Sequence, residues 1–217
     1  METFFSENST KLAPLAERLR PKNLNEFLGQ EHLVGKYSFL RRAISADRLG
    51  SCIFYGPPGT GKTTLAYIIA TQTNSFFVKL NAVSSGVADV KKVIADAKSN
   101  LELYGKKTYL LLDECHRWNK AQSDSMLEAI EKGYITFIGA TTENPFMSMT
   151  RAIVSRCRVF EFKPLSKENI LTAINRALTD KENGYGNLDI EISEEAKMYF
   201  VYSSGGDARI ALGNLEI

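Results

Sequence analysis

Long hydrophobic runs are missing from this sequence, since no apolar stretch approaches the ~18 residues that a membrane-spanning helix needs. The opening residues, METFFSENST, also lack the basic flank and apolar centre of a secretory signal peptide. We therefore expect no membrane contact and a cytoplasmic location. A dominant charge is missing too: 27 Lys and Arg oppose 25 Asp and Glu in 217 residues, a balance that neither indicates nor excludes a nucleic-acid partner.

Cysteine is scarce, and Cys52, Cys115 and Cys157 stand far apart without the spacing of metal ligands. Each of the three lies in or beside an apolar run. We interpret them as small buried thiols in a reducing compartment, with zinc ligation or a catalytic thiol as the alternative.

Short apolar runs alternate with helical stretches over most of the chain. The strand runs are nearly continuous in hydrophobic residues, which is typical of parallel strands buried on both faces. The pattern predicts an α/β fold with a five-stranded parallel sheet flanked by helices. The predicted strands are Ser51–Tyr55, Ser75–Leu80, Thr108–Asp113, Ile135–Ala140 and Arg158–Phe162. The predicted helices are Lys62–Thr73, Ala88–Tyr104, Asn119–Lys132 and Pro145–Ser155.

The pattern changes after Pro164, where three further helices are predicted at Ser166–Lys181, Ser193–Ser203 and Asp207–Glu216. We therefore expect an α/β domain over residues 1–163, with an N-terminal segment at 1–50, and a small all-helical segment, here called the lid, over 164–217. The sequence stops without a helix-stop signal. We accordingly expect the lid to be truncated and the chain to be part of a longer protein.

The strongest local pattern is GPPGTGKT, which fits G-x-x-x-x-G-K-S/T between a predicted strand and a predicted helix. Glycines let backbone N–H groups turn inward around phosphate oxygens, and the helix N-terminus adds partial positive charge. Lys62 is expected to reach the β- and γ-phosphates of ATP, and the Thr63 hydroxyl to ligate Mg²⁺. The predicted phosphate-binding residues are Gly56, Pro57, Pro58, Gly59, Thr60, Gly61, Lys62, Thr63 and Thr64.

An apolar strand ends in two acids, Asp113 and Glu114. A buried parallel strand brings them to the carboxyl edge of the sheet, where open α/β sheets bind ligands. There Asp113 can complete the Mg²⁺ shell, and Glu114 can orient and deprotonate an attacking water. The alternative is a strand that merely ends in solvated acids.

The strand Ile135–Ala140 is followed by polar residues that could position the attacking water. Thr142 is the first candidate and Asn144 the second, although Asn144 could equally cap the helix that begins at Pro145. Two arginines, Arg156 and Arg209, are candidates for stabilising the charge of the transferred phosphoryl group, with surface ion pairs as the alternative.

Together these elements resemble the AAA+ ATPases, and within them the clamp-loader branch. Four stretches extend the resemblance: LAERLRP at Leu15–Pro21, GQEHL at Gly29–Leu33, DECHRWNKAQ at Asp113–Gln122 and GATTENP at Gly139–Pro145. They look like the replication-associated recombination protein A family, the bacterial relatives of the Werner-helicase-interacting ATPase. The resemblance covers residues 12 to 217.

The resemblance implies roles for single residues. Lys62 and Thr63 match Walker A, and Asp113 and Glu114 match Walker B. Thr142 matches sensor 1. By the same resemblance, Arg156 is the finger that acts on a neighbouring subunit's ATP, Arg209 is sensor 2, and Arg20 and Leu33 belong to the wall on the adenine side.

The resemblance also implies a function, a DNA-dependent ATPase in replication, recombination and repair at stalled or damaged forks. The implied partners are DNA ends, gaps and single-/double-strand junctions, the single-strand DNA-binding protein and replisome components, near the nucleoid. Family members carry a C-terminal oligomerisation domain that assembles a tetramer and that this sequence lacks. Since Arg156 would then have no neighbour, we expect weak hydrolysis by this chain alone.

Two other functions stay open at this point. A Holliday-junction branch-migration motor shares a similar P-loop and the D-E-x-H-R run, but the residues Thr142–Pro145 and Ser155–Cys157 favour the clamp-loader branch. A nucleotide-gated binding module would use ATP only to change partner affinity. Glu114 argues against such a module, because an inert member has little use for a base beside Asp113.

Overall fold

The computed structural model describes residues 12–73 and 75–217, so the opening segment METFFSENST lies outside the described residues. The chain divides into two compact units. An α/β unit comprises Gln30–Gly56 and Gly61–Lys163, and a helical unit comprises the residues up to Gly29, Pro57–Thr60 and Pro164–Ile217. In the described part of the chain, no helix is long and apolar enough to cross a membrane.

The α/β unit is built on a five-stranded sheet in the order β2-β3-β4-β1-β5, with every neighbouring pair parallel. The predicted fold class is therefore confirmed, and each strand end lies within one residue of its prediction. The strands are β1 Cys52–Tyr55, β2 Phe76–Asn81, β3 Thr108–Asp113, β4 Ile135–Thr141 and β5 Arg158–Glu161.

Burial follows position in the sheet. All seven residues of β4 are buried and so are the first five of β3, because helices cover both faces of these central strands. The edge strands β2 and β5 are partly exposed along their length. Gly139 in β4 leaves room for the turn after β3, since a Cβ there would stand 3.0 Å from the Cys115 sulfur.

Eleven helices and one 3₁₀ turn, Cys115–Arg117, are present in the described residues. Several begin at a side chain that accepts a backbone N–H, among them Ser38, Asn119, Ser166 and Ser193. The helices are α1 Leu15–Arg18, α2 Glu31–Val34, α3 Phe39–Ser45, α4 Lys62–Gln72, α5 Val87–Tyr104, α6 Lys120–Glu131, α7 Pro145–Ser148, α8 Arg151–Val154, α9 Lys167–Thr179, α10 Glu194–Ser203 and α11 Ala208–Glu216.

One predicted helix was wrong in extent. The stretch expected as a single helix over Pro145–Ser155 forms the two short helices α7 and α8, with Met149 extended between them at φ −118° and ψ 162°. Met149 packs against the apolar core, and its sulfur lies 3.4 Å from the Cys115 sulfur. We attribute the break to this tertiary contact, which outweighs the local preference for a continuous helix.

The helical unit joins both ends of the described chain. Leu15 and Leu19 pack with Ala177 and Leu212 in a small buried cluster. The carboxylate of Glu216 accepts the N–H of Leu15 at 3.0 Å. The three helices predicted after Pro164 are observed as α9, α10 and α11, whereas α1, also part of this unit, was not predicted. The functional division at residue 163 stays a prediction.

Candidate nucleotide-binding site

The GPPGTGKT stretch forms a tight loop between β1 and α4 because its glycines take backbone conformations that other residues avoid. Gly56, Gly59 and Gly61 have φ values of 141°, 64° and 100°. A Cβ at Gly56 would stand 2.2 Å from the backbone oxygen of Phe162, which no side chain tolerates. Such a loop directs successive N–H groups towards one point, the arrangement that holds phosphate oxygens.

Lys62 opens α4 and is 9% exposed. Its Nζ atom donates to the carbonyl oxygen of Gly56 at 2.7 Å, so the ammonium group is held over the loop that it closes. Thr63 and Thr64 follow in the first turn of α4. The helix N-terminus and Lys62 together make the centre of this loop electropositive, as an anionic phosphate requires.

Asp113 and Glu114 lie where β3 ends, as predicted. Asp113 is partly buried, and its Oδ2 lies 3.6 Å from the Nζ of Lys79 in the neighbouring strand β2. Glu114 has a left-handed backbone, with φ 54° and ψ 41°, and its side chain is 41% exposed. A non-glycine residue in this conformation is strained, and such strain concentrates at functional sites.

The end of β4 lies beside the loop and the acids, because β4 pairs with both β1 and β3. Thr141, its last residue, accepts the N–H of Gly56 through its backbone oxygen at 3.2 Å. Thr142 follows and is exposed. Asn144 caps α7 by accepting the N–H of Phe146 at 3.0 Å, so its side chain serves the structural role that the sequence left open.

Arg156 lies at the end of the sheet where the strands begin, opposite to the end that carries the P-loop. It precedes β5, which runs parallel to β1, whereas Gly56 follows β1. The four residues of β1 alone span about 13 Å at ~3.3 Å per residue. The Arg156 guanidinium pairs with the Glu131 carboxylate, with Nε 2.7 Å from Oε1. It also donates to the Ala152 oxygen at 2.7 Å. Arg156 is therefore far from the P-loop of its own chain.

Arg209 lies in the helical unit, in the first turn of α11, and is exposed. Within this unit the start of α11 contacts the segment Pro57–Thr60, because the N–H of Ala208 donates to the Gly59 oxygen at 3.2 Å. Asp207 caps α11 by accepting the N–H of Arg209 at 2.8 Å. It packs so closely on Gly59 that a Cβ there would overlap its carboxylate.

The residues predicted for the adenine side are not equally exposed. Leu33 is buried at 7% exposure in α2, while Arg20 forms an ion pair with Glu17. The Gln30 side chain fixes α2 to the end of β5, with its Nε2 donating to the Lys163 oxygen at 2.7 Å. His32 adds a second link, 2.9 Å from the Glu161 oxygen. Contact of Arg20 or Leu33 with adenine stays a prediction.

Cys52 and Cys115 are buried, as predicted, whereas Cys157 is only partly buried. Burial raises the pKa of the Cys52 and Cys115 thiols well above their ordinary value, and raises the pKa of Cys157 to about 12. A thiol that stays protonated is a poor nucleophile and a poor metal ligand. Among the described residues no group of three or more His, Cys, Asp and Glu side chains could hold a metal ion.

Three side chains with close polar contacts at these positions carried no predicted role. Lys79 contacts Asp113, Glu131 contacts Arg156, and His116 contacts Thr141. Only His116 had a signal in the sequence, since it belongs to the D-E-x-H-R run. The other two are separated from their partners by 25 residues or more, and nothing local marks them.

A P-loop between β1 and α4, an acidic end on β3 and a polar end on β4 define a P-loop nucleotide-binding domain of the AAA+ class. The chain belongs to the family described as the Holliday junction DNA helicase RuvB P-loop domain, which matches residues 19–152.

Curated relatives confirm the resemblance noted in the sequence. The chain is 46% identical over 213 residues to replication-associated recombination protein A of Escherichia coli K12, covering 98% of this chain and 47% of that protein. It is 44% identical over 205 residues to ATPase WRNIP1 of Dictyostelium discoideum, covering 94% of this chain and 23% of that protein. The chain thus spans about half the length of the replication-associated recombination proteins it matches.

A solved structure supports the same fold. The Thermotoga maritima RuvB Holliday junction branch migration motor aligns with a TM-score of 0.72 at 30% sequence identity. The alignment covers 90% of this chain and 63% of that chain.

Proposed function

We propose that this chain binds ATP with Mg²⁺ and hydrolyses it, and that it acts in DNA replication, recombination and repair. The observation that carries the proposal is the convergence of three features at one edge of the sheet. The loop after β1, the acids after β3 and the polar residues after β4 are neighbours there because β4 pairs with both other strands. This is the edge at which parallel α/β sheets bind ligands.

In this proposal the loop glycines and Lys62 bind the phosphates of ATP. The Thr63 hydroxyl and the Asp113 carboxylate are oxygen donors, the kind that Mg²⁺ prefers, so they would hold the ion. When bound, Mg²⁺ would neutralise charge on the phosphate oxygens. Glu114 acts as the base towards the attacking water, and Thr142 helps to orient that water.

The two arginines complete the site from elsewhere. Arg156 acts on the ATP of a neighbouring subunit, which is supported by its position at the sheet edge remote from the P-loop of its own subunit. Arg209 reaches the bound nucleotide as sensor 2, which is supported by the contact of Ala208 with Gly59 within the helical unit. Hydrolysis by an unassembled subunit is then expected to be weak.

The wider role rests on the relatives. Proteins named for replication-associated recombination share 41–46% of residues with nearly all of this chain. We infer that ATP hydrolysis is stimulated by DNA ends, gaps or junctions at stalled forks. Contact with the single-strand DNA-binding protein and replisome components, a tetrameric assembly and a cytoplasmic, nucleoid-associated location belong to the same proposal.

A second candidate is a Holliday-junction motor, favoured by the match to the RuvB P-loop domain over residues 19–152. The higher identity to replication-associated recombination proteins, 46% against 30% for the RuvB structure, favours the first proposal. A nucleotide-gated binding module would bind ATP without needing Glu114, and is tested by replacing that residue.

The deciding experiment measures ATP turnover by the purified protein with single strands, blunt ends, gapped duplexes and four-way junctions at equal nucleotide concentration. Ends and gaps should stimulate turnover, and a Lys62→Ala variant should abolish it with every DNA. Stimulation confined to four-way junctions would instead support the motor. Turnover that no DNA changes would contradict the proposed role in DNA metabolism.

A further inference from the structure

His116 is a buried polar side chain with no part in the proposed mechanism. It lies in the 3₁₀ turn directly after Glu114, and its side chain is 6% exposed. Its Nδ1 atom lies 2.8 Å from the Oγ1 of Thr141, a normal hydrogen-bond distance. The bond links the turn after β3 to the end of β4, 25 residues away in sequence.

The same hydroxyl also organises the loop that carries Thr142. The Oγ1 of Thr141 accepts the N–H of Glu143 at 3.0 Å, closing a turn around Thr142. A hydroxyl offers one proton and two lone pairs, so it can bond Glu143 and His116 together, and it can do so in either imidazole tautomer. His116 is therefore connected to the turn of Thr142 through one shared atom.

The imidazole also lies between two carboxylates. Oε2 of Glu114 is 3.5 Å from Nδ1, and Oε1 of Glu143 is 3.5 Å from Nε2. Both separations exceed a good hydrogen bond but lie within a small rotation of one. The ring thus occupies the space between the proposed base and the loop of the proposed sensor.

The backbone of Glu114 needs such support. With φ 54° the residue occupies a sparsely populated conformation, which persists only where neighbouring contacts hold it. His116, two residues further on, is hydrogen-bonded to a threonine that is 1% exposed and part of the central strand β4. This bond anchors the turn that sets the direction of the Glu114 side chain.

We propose that His116 is a positioning residue for ATP hydrolysis, holding Glu114 and Thr142 in mutual register through its hydrogen bond to Thr141. The inference deepens the proposed ATPase function and rests on it. Hydrolysis depends on the bond because a displacement of ~1 Å in a catalytic group costs about a hundredfold in rate. ATP binding does not depend on it, since the P-loop makes no use of His116.

The test compares three variants of the protein at saturating ATP. His116→Ala should lower kcat by about 10- to 100-fold and change the ATP dissociation constant by less than about twofold. His116→Asn should recover most of the rate, because its amide lies close to the position of Nδ1 and can donate or accept. His116→Gln, the matched control, places its amide nearer the position of Nε2 and should not recover it.

A double-mutant cycle tests the proposed partner. Thr141→Val keeps the shape but removes the hydroxyl, which breaks the bond to His116 and also the bond from the Glu143 N–H, so it should lower kcat at least as much as His116→Ala does. Because both changes break the bond between His116 and Thr141, the double variant should be little slower than the slower single variant. Losses that multiply would overturn the inference, as would a folded His116→Ala protein with normal kcat.

Three further outcomes are informative. If His116→Ala does not fold, the comparison of His116→Asn with His116→Gln decides, and equal rates in those two variants would overturn the inference. Suppose that the unaltered protein and the His116→Ala variant hydrolyse ATP at the same rate, while Glu114→Gln does not hydrolyse it. The proposed ATPase function would then stand, and only the proposed role of His116 would be overturned. Absence of turnover in the unaltered protein would instead remove the proposed ATPase function.

Discussion

The strained backbone of Glu114 leads to a prediction in which stability and activity change in opposite directions. Replacing Glu114 by glycine removes the Cβ that makes φ 54° costly, a relief of about 1–2 kcal/mol. The greater freedom of glycine in the unfolded chain offsets roughly 0.4–1 kcal/mol. Because the Glu114 side chain is 41% exposed and its carboxylate stands 3.5 Å from the His116 ring nitrogen, the loss of side-chain contacts adds little.

The Glu114→Gly variant should therefore gain on the order of 0.5–1 kcal/mol in unfolding free energy, or roughly 1–4 °C in melting temperature for a chain of this size. Its ATP turnover should disappear. Thermal and urea unfolding measure the first quantity, and a phosphate-release assay measures the second.

Two controls separate strain from chemistry. Glu114→Gln keeps both the shape and the left-handed backbone, so its stability should not change while its turnover is lost. Asp47, in the α3–β1 connection, also has a positive φ of 48°, so Asp47→Gly should stabilise the fold and leave turnover intact. A Glu114→Gly protein less stable than Glu114→Gln would refute the inference that strain is stored at the proposed base.

Four further predictions concern other parts of the molecule. Gly56→Ala should lower the unfolding free energy measured in urea by roughly 3 kcal/mol or more, because the new Cβ would meet the Phe162 oxygen. Gly133 has φ 71° and open space around it, so the control Gly133→Ala should lower it by only about 1–2 kcal/mol. Equal losses of stability in the two variants would contradict this. Cys52 and Cys115, which are 0% and 1% exposed and whose thiol pKa burial raises well above the ordinary value, should resist alkylation in the native protein at neutral pH, and rapid labelling of either would contradict their burial. Since the unfolded thiol loses its proton first, stability should also fall as pH rises above the ordinary thiol pKa. Turnover per subunit should rise with protein concentration if Arg156 acts between subunits, and a rate independent of concentration would contradict that role.

The sheet and the P-loop were predictable from the sequence because their signals are local. The strands β3 and β4 are continuous apolar runs since they are buried on both faces, and the loop glycines stand at fixed spacing because backbone geometry demands them. The acids stand at the end of β3, with Asp113 its last residue, so their place where the strand ends needed no tertiary information.

Features that depend on distant contacts were missed or mistaken. The break at Met149 follows from its packing near Cys115, 34 residues earlier in the chain. The pair of Arg156 with Glu131 joins residues 25 positions apart, and no pattern in the sequence marks it. The short helix α1 has only four residues, and its packing on α11 from the other end of the chain gives it a place in the fold.

The central claim is that this edge of the sheet binds ATP through the P-loop and hydrolyses it through Glu114. Single-turnover hydrolysis of bound ATP by the Glu114→Gln variant tests this claim most directly, with binding measured in the same samples. Loss of a general base predicts a rate about 10²–10⁴-fold below that of the unaltered protein at nearly unchanged ATP affinity. A variant that binds ATP and hydrolyses it at the unaltered rate would contradict the account.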